Sequence, residues 1–381
     1  MRLADTYLGR CLLFNRPTSH DQARMPQRRL SPSPQPLSLP RRAAPALDDI
    51  AVGVRRDEPP TSLRRLLQST GTTALLALHD GAVVVEWYFA GAMAHQPQRC
   101  FSVTKSVASA LIGLAIAAGR IESPDQEIGV WLPELRDRRI AALPLSHLLR
   151  MHSGIGFSEG PLPWRDEPRT YYATDLRQRL AGLTLSDPVG AFFHYNDWHP
   201  LLLALILERA TGQQATRWLQ QRLWDPLGAE HAASMMVDRD DDRGLEHLES
   251  GLTATATDLA KFGQLYLQDG LWRGERLLPE GWVARTTAPA GARTDADWFR
   301  HYRSRPWGRF LATGKVYYQG LWWGQRLDDG GHDFFAMGVL GQHVYVSPDT
   351  ATVIVRLSDR FPPGVWWAPV WRQVALALAG R

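Results

Sequence analysis

The run Val107-Ala108-Ser109-Ala110-Leu111-Ile112-Gly113-Leu114-Ala115-Ile116 is small or apolar at nearly every position, so a helix here has no polar face. It must be buried on all sides, and the rest of the chain has to supply the layers around it. Directly before it stands Cys100-Phe101-Ser102-Val103-Thr104-Lys105-Ser106, which reads as the first turns of the same helix. Lys105 is one of only three lysines in the chain, with Lys261 and Lys315, and a lysine is a costly residue to place on such a helix.

Ser102 and Lys105 stand three positions apart, which puts both side chains on one helix face. A serine hydroxyl is a weak nucleophile at neutral pH and needs a neighbour to take its proton. A lysine among apolar residues has a depressed pKa and can do so. The helix N-terminus adds backbone N–H groups and positive dipole near the same oxygen. Ser102 is therefore the candidate nucleophile and Lys105 its candidate base.

At 381 residues, 44% hydrophobic and 22% charged, the chain can form one large domain of two lobes, or two domains. No apolar run reaches the length of about eighteen residues that a membrane span needs. The N-terminal stretch Tyr7 to Phe14 is too short and too arginine-interrupted for a secretory signal, so a cytoplasmic location is expected. A net charge of +4 invites a nucleic-acid reading, but the arginines are scattered among 39 acids. Arg28-Arg29, Arg41-Arg42, Arg55-Arg56, Arg64-Arg65 and Arg138-Arg139 are pairs, never a block, so no nucleic-acid partner is expected. The two cysteines, Cys11 and Cys100, read as free thiols in that compartment. The histidines and the run Asp238 to Asp242 lack metal-ligand spacing, and neither metal nor cofactor is expected.

Along the chain, residues 1 to about 60 carry a short amphipathic patch and then Ser31-Pro32-Ser33-Pro34-Gln35-Pro36, the composition of an extended arm without its own core. A short helix is expected over Ser62 to Ser69. Asp80-Gly81 between Ala74–Leu78 and Ala82–Phe89 is a hairpin signal. The buried helix ends near Gly119. Helices are expected at Leu145–Met151, Trp198–Ala210, Ala215–Leu223 and Ala256–Leu267, then strands at Val316–Trp323, Phe334–Val346 and Thr352–Leu357, then a helix at Val370–Leu378. Two strands at the start and three at the end suit one antiparallel sheet, in a mixed α/β (α+β) fold. The domain from 61 to 381 divides into a sheet lobe, about 61–125 and 315–381, and a helical lobe, about 126–314.

Several segments follow one another in a fixed order: the hairpin, Phe101 to Ser106, Leu145-Ser146-His147-Leu148-Leu149-Arg150-Met151-His152-Ser153-Gly154, Phe193-His194-Tyr195-Asn196-Asp197, Gly251 to Leu259, and Ala336-Met337-Gly338-Val339-Leu340-Gly341-Gln342. Together they resemble the serine β-lactamase and penicillin-binding protein superfamily, in its class C-like esterase and aminohexanoate-dimer hydrolase branch. The resemblance spans roughly Leu63 to the C-terminus and implies the β-lactamase/transpeptidase-like fold.

It also implies an acyl-enzyme on Ser102 with Lys105 as base. Tyr195 matches the tyrosine that hydrogen-bonds both and passes a proton to the leaving group. A phenol near the lysine cation is expected to have a lowered pKa. Asn196 and Asp197 support this site, and the oxyanion falls to the backbone N–H groups of Ser102 and Val339. Gly338, Gly341 and Trp322 are the candidate substrate-binding residues; Trp322-Trp323 and Trp366-Trp367 are expected to include apolar cleft walls.

Two departures narrow the expected chemistry. Ala336-Met337-Gly338 lacks the cation and hydroxyl that grip a β-lactam carboxylate, so a neutral, partly apolar ester or amide is the expected small-molecule substrate. Asp197 stands where relatives carry Asn or Ser; beside Lys105 it raises that pKa and shifts base duty toward Tyr195. A D-amino-acid peptidase or weak β-lactamase, and an idle scaffold protein on the same fold, are the alternatives.

Overall fold

The structure is a computed structural model that describes residues 3–14, 16–43, 47, 50–54, 59–305, 308–360 and 365–381. Pro45 of the proline-rich stretch and the pair Arg55-Arg56 lie outside the described residues.

Asp80 and Gly81 take left-handed φ values of 48° and 75°, and this turn joins Thr72–His79 to Ala82–Tyr88 as an antiparallel hairpin. The hairpin completes a seven-stranded sheet in the order Val316–Gln319, Trp322–Arg326, His332–Gly338, Gln342–Ser347, Thr352–Ser358, Thr72–His79, Ala82–Tyr88. Every neighbouring pair is antiparallel. The last strand of the sequence thus lies beside the first of this sheet, as expected for one sheet built from both ends of the domain.

The C-terminal part holds five strands where the sequence reading has three. Val316–Trp323 is split by a tight turn at Gly320-Leu321, φ 53° and 66°. The segment Phe334–Val346 is split by the short turn Val339–Gly341. Gly-Leu lacks the usual Asn-Gly or Asp-Gly turn signature, so an apolar run conceals it.

Alternation along the strands gives the sheet two buried faces. On one, Val344 and Val353 meet the helix Ala256–Leu267 at Gly263, where an added Cβ would lie 2.5 Å from Val353 Cγ1. On the other, His343 packs edge-on against Trp371 and the Arg356 guanidinium lies over Trp367, both in the helix Trp367–Leu378. Trp367 stacks on Trp371, and Trp366 on Phe310 at 4.5 Å, so Trp366 and Trp367 serve packing.

The apolar run forms the helix Val103–Ala117, and every residue from Val103 to Ala115 is buried. It packs against the helix Trp198–Thr211, which Gly212 ends in a left-handed cap. Ser62 caps Leu63–Ser69 by accepting the Arg65 N–H.

The N-terminal sixty residues are not extended throughout. Tyr7–Phe14 is helical, and Gln27–Leu30 pairs with Ala233–Met236 in a second sheet ordered Gln27–Leu30, Ala233–Met236, Leu252–Ala254, Gln98–Arg99. Proline-rich composition hides this because the segment takes its partners from the distant chain. Among the described residues no helix is long and apolar enough to cross a membrane.

Candidate active site

The second sheet delivers the turn that carries Ser102. Arg99 pairs with Thr253, and the Cys100 N–H donates to the Leu252 carbonyl at 2.9 Å. Thr104 Oγ1 donates to the Phe101 carbonyl at 2.6 Å and accepts the Leu252 N–H at 3.0 Å. Between these ties Phe101 adopts φ 48°, a conformation that costs a bulky residue about 1–3 kcal/mol. Ser102, half-buried, follows at the head of the helix.

One turn on, the Lys105 side chain is 1% exposed. Its ammonium donates to Ser102 Oγ at 2.9 Å and to the Glu249 carbonyl at 2.8 Å, and it lies 2.8 Å from Asp197 Oδ1. It also sits 4.7 Å from the centre of the Tyr195 ring. The structure therefore brings Ser102, Lys105, Tyr195 and Asp197 together, although more than ninety residues of sequence separate the serine from the tyrosine. Burial alone would pull the Lys105 ammonium down, but the Asp197 and Tyr195 charges, the Asp197 hydrogen bond and Glu249 outweigh it and hold it above its ordinary value. Burial likewise lifts the Asp197 carboxyl against the pull of Lys105.

The expectation of a lowered Tyr195 pKa is overturned. Burial pushes the phenol up, and the Lys105 charge with contacts to Ser102 and Lys105 does not overcome it. Tyr195 is held in place from below: its N–H donates to the Tyr302 hydroxyl at 2.8 Å, and its ring stacks on Trp323 at 5.8 Å. Asn196 turns away from the lysine. Its side chain donates to the Ile155 carbonyl and accepts the Trp198 N–H, both at 2.9 Å, and so fixes the start of the helix on which Asp197 stands.

Gly338 ends the strand His332–Gly338 against the Ser102 turn, where an added Cβ would lie 2.5 Å from the Cys100 carbonyl oxygen and 3.2 Å from Phe101 Cβ. Only glycine lets the strand come this close. Val339, next in sequence, is 38% exposed beside that contact. Gly341 takes φ 85°, and its carbonyl accepts from the Arg356 guanidinium at 2.6 Å, an anchoring contact of the turn.

Trp322 does not line the site. It is fully buried, stacked on Phe262 at 5.7 Å and packed against Tyr266 and Phe334. Neighbouring strand residues face opposite sides, so Trp323 points toward Tyr195 while Trp322 points into the core.

Three contributors escaped the sequence reading. Thr104 fastens the turn, the Glu249 carbonyl holds Lys105, and the buried Glu249 carboxylate lies 2.7 Å from His247 Nδ1. Thr104 stands inside Phe101 to Ser106, where its position was visible; a backbone carbonyl such as that of Glu249 leaves no side-chain signature. Among the described residues, Asp187, His194 and His301 form a group with metal-ligating atoms. The two rings stack at 4.3 Å and 15°, and His301 Nε2 lies 3.2 Å from the Asp187 carboxylate. The two cysteines are free, and burial pushes the Cys100 thiol up to about 12.

A family model described as Beta-lactamase matches residues 63–379, and the chain belongs to this family of hydrolases. A 6-aminohexanoate-dimer hydrolase from Paenarthrobacter ureafaciens is 28% identical over 312 residues, 78% of this chain and 75% of the relative. Among solved structures, a Bacillus anthracis protein provisionally named 6-aminohexanoate-dimer hydrolase superposes with a TM-score of 0.79 at 24% identity, covering 95% of this chain and 94% of its own. A D-stereospecific amidohydrolase from Streptomyces sp. superposes with a TM-score of 0.56 at 17% identity, covering 83% and 97%. These two share the fold.

Proposed function

We propose that the protein is a serine hydrolase that cleaves a small ester or linear amide through a covalent acyl-enzyme on Ser102. The observation that carries this reading is Lys105, which bridges Ser102 Oγ at 2.9 Å and Asp197 Oδ1 at 2.8 Å at the buried start of a helix. Lys105 rests as an ammonium that Asp197 holds above its ordinary pKa, and the base is the neutral amine left when that ammonium gives up its proton. That amine takes the Ser102 proton as Oγ attacks the carbonyl, and the oxyanion is met by the N–H groups of Ser102 and Val339. Tyr195, whose phenol contacts Ser102 and Lys105, relays the proton to the departing amine or alcohol. Water then enters, gives its proton back through the same groups and releases the acid.

Ala336 and Met337 provide no cation or hydroxyl for a substrate carboxylate. Together with the activity named for the Paenarthrobacter relative, this favours linear amides and esters of short aliphatic acids over β-lactams and D-Ala-D-Ala peptides. The test is a panel of all four classes assayed with wild type and Ser102→Ala. The expected result is Ser102-dependent turnover of linear amides or esters, with kcat/KM at least about a hundredfold above that for the β-lactams. A preference for β-lactams or D-Ala-D-Ala peptides contradicts the substrate assignment.

A further inference from the structure

Two bulky residues with left-handed backbone flank the proposed oxyanion donors. Phe101, φ 48°, precedes Ser102, and Leu340, φ 67°, follows Val339. Phe101 torsions aim the peptide that ends in the Ser102 N–H, and Leu340 fixes the turn that Val339 opens. Bulky residues keep such φ values only where the surroundings hold them.

Both side chains are held by one apolar cluster that stands apart from the main core. It consists of Met25, Phe101, Tyr171, Tyr172, Met236 and Leu340, with Phe101 1% and Leu340 4% exposed. Met25 comes from the N-terminal segment, which precedes the residues matched by the family model. That segment is fastened on both sides of Met25. The Tyr171 hydroxyl donates to the buried Asp21 carboxylate at 3.0 Å, and Gln27–Leu30 is a strand of the second sheet. Arg10 is fastened further back, donating to the Ala173 and Asp238 carbonyls at 2.9 and 3.0 Å.

Resting on the acyl-enzyme reading above, we infer that the N-terminal segment, through Met25, keeps Phe101 and Leu340 in their left-handed conformations and so preorganises the backbone donors of Ser102 and Val339. Met25 is a positioning residue and touches no reacting atom. Donors aimed before the reaction stabilise the tetrahedral oxyanion without reorganisation, and donors free to swing do not. Met25→Ala opens a cavity in the cluster that holds both residues, which is expected to let their backbone relax.

The experiment measures the rate of fluorophosphonate labelling at Ser102 in the full chain, with active-site titration and thermal melting alongside. The variants are wild type, Met25→Ala, Met25→Leu and Asp21→Asn. The expected result is complete labelling of folded Met25→Ala at a rate about tenfold or more below wild type, with Met25→Leu restoring most of it. Hydrolysis of the best substrate falls in kcat while KM stays within about twofold. Asp21→Asn, which loosens the segment without a cavity, slows labelling in the same direction and serves if Met25→Ala does not fold. Wild-type protein that takes no label refutes the acyl-enzyme reading itself. With labelled wild type, a folded Met25→Ala that reacts at the wild-type rate overturns the inference. Fewer active sites, each at the wild-type rate, overturn it too, because Met25 would then serve stability alone.

Discussion

Lys105→Ala is expected to lower kcat for the best substrate by about three to four orders of magnitude, with a much smaller change in KM. In the structure no other amine reaches Ser102 among the described contacts, and the hydroxyl loses the group placed to take its proton. Lys105→Arg is expected to do no better, since a guanidinium does not give up its proton in this range. Removing one partner of a buried ion pair also destabilises, by about 3–5 kcal/mol where the remaining charge is fully enclosed. The Asp197 side chain is 25% exposed, so water relieves part of that cost and the protein is expected to fold. Steady-state kinetics with circular dichroism check both statements; a folded Lys105→Ala within tenfold of wild type would remove Lys105 from the chemistry.

Asp197→Asn is expected to move the acid limb of the kcat/KM profile to lower pH by at least about one unit. Asp197 is the leading charge that raises Lys105 against burial. Without it burial governs, the Lys105 pKa falls, and the free amine persists at lower pH. Stability moves with the same linkage. In wild type the folded Lys105 pKa lies above its unfolded value near 10.4, so its contribution is complete below that pH and is lost as pH rises through the folded value. Asp197→Asn removes that contribution, and its melting temperature is expected to approach that of wild type at high pH. An unshifted limb in a folded variant contradicts the coupling of Asp197 to Lys105.

Ser102, Lys105, Tyr195 and Asp197 were legible in the sequence because their chemistry resides in side chains and their motifs occur in a fixed order. The β hairpin at Asp80-Gly81 and the buried helix were legible for a similar reason: turn chemistry and an unbroken apolar run are local signals. What escaped was set by tertiary contact. Period-two alternation says that Trp322 and Trp323 face opposite ways but not which one faces the core. The Tyr195 pKa is decided by burial, which depends on Trp323 and Tyr302 from distant segments. Tyr7–Phe14 and Gln27–Leu30 gain their structure from partners far along the chain, so their own composition reads as an arm. Glu249 acts through a carbonyl that any residue could provide.

The central claim is that Ser102 is an activated nucleophile, and intact-protein and peptide mass spectrometry after fluorophosphonate treatment tests it most directly. One adduct per chain is expected, mapped to Ser102, absent in Ser102→Ala and strongly reduced in Lys105→Ala. Folded wild-type protein that carries no adduct at Ser102, or that labels equally well without Lys105, would contradict the account.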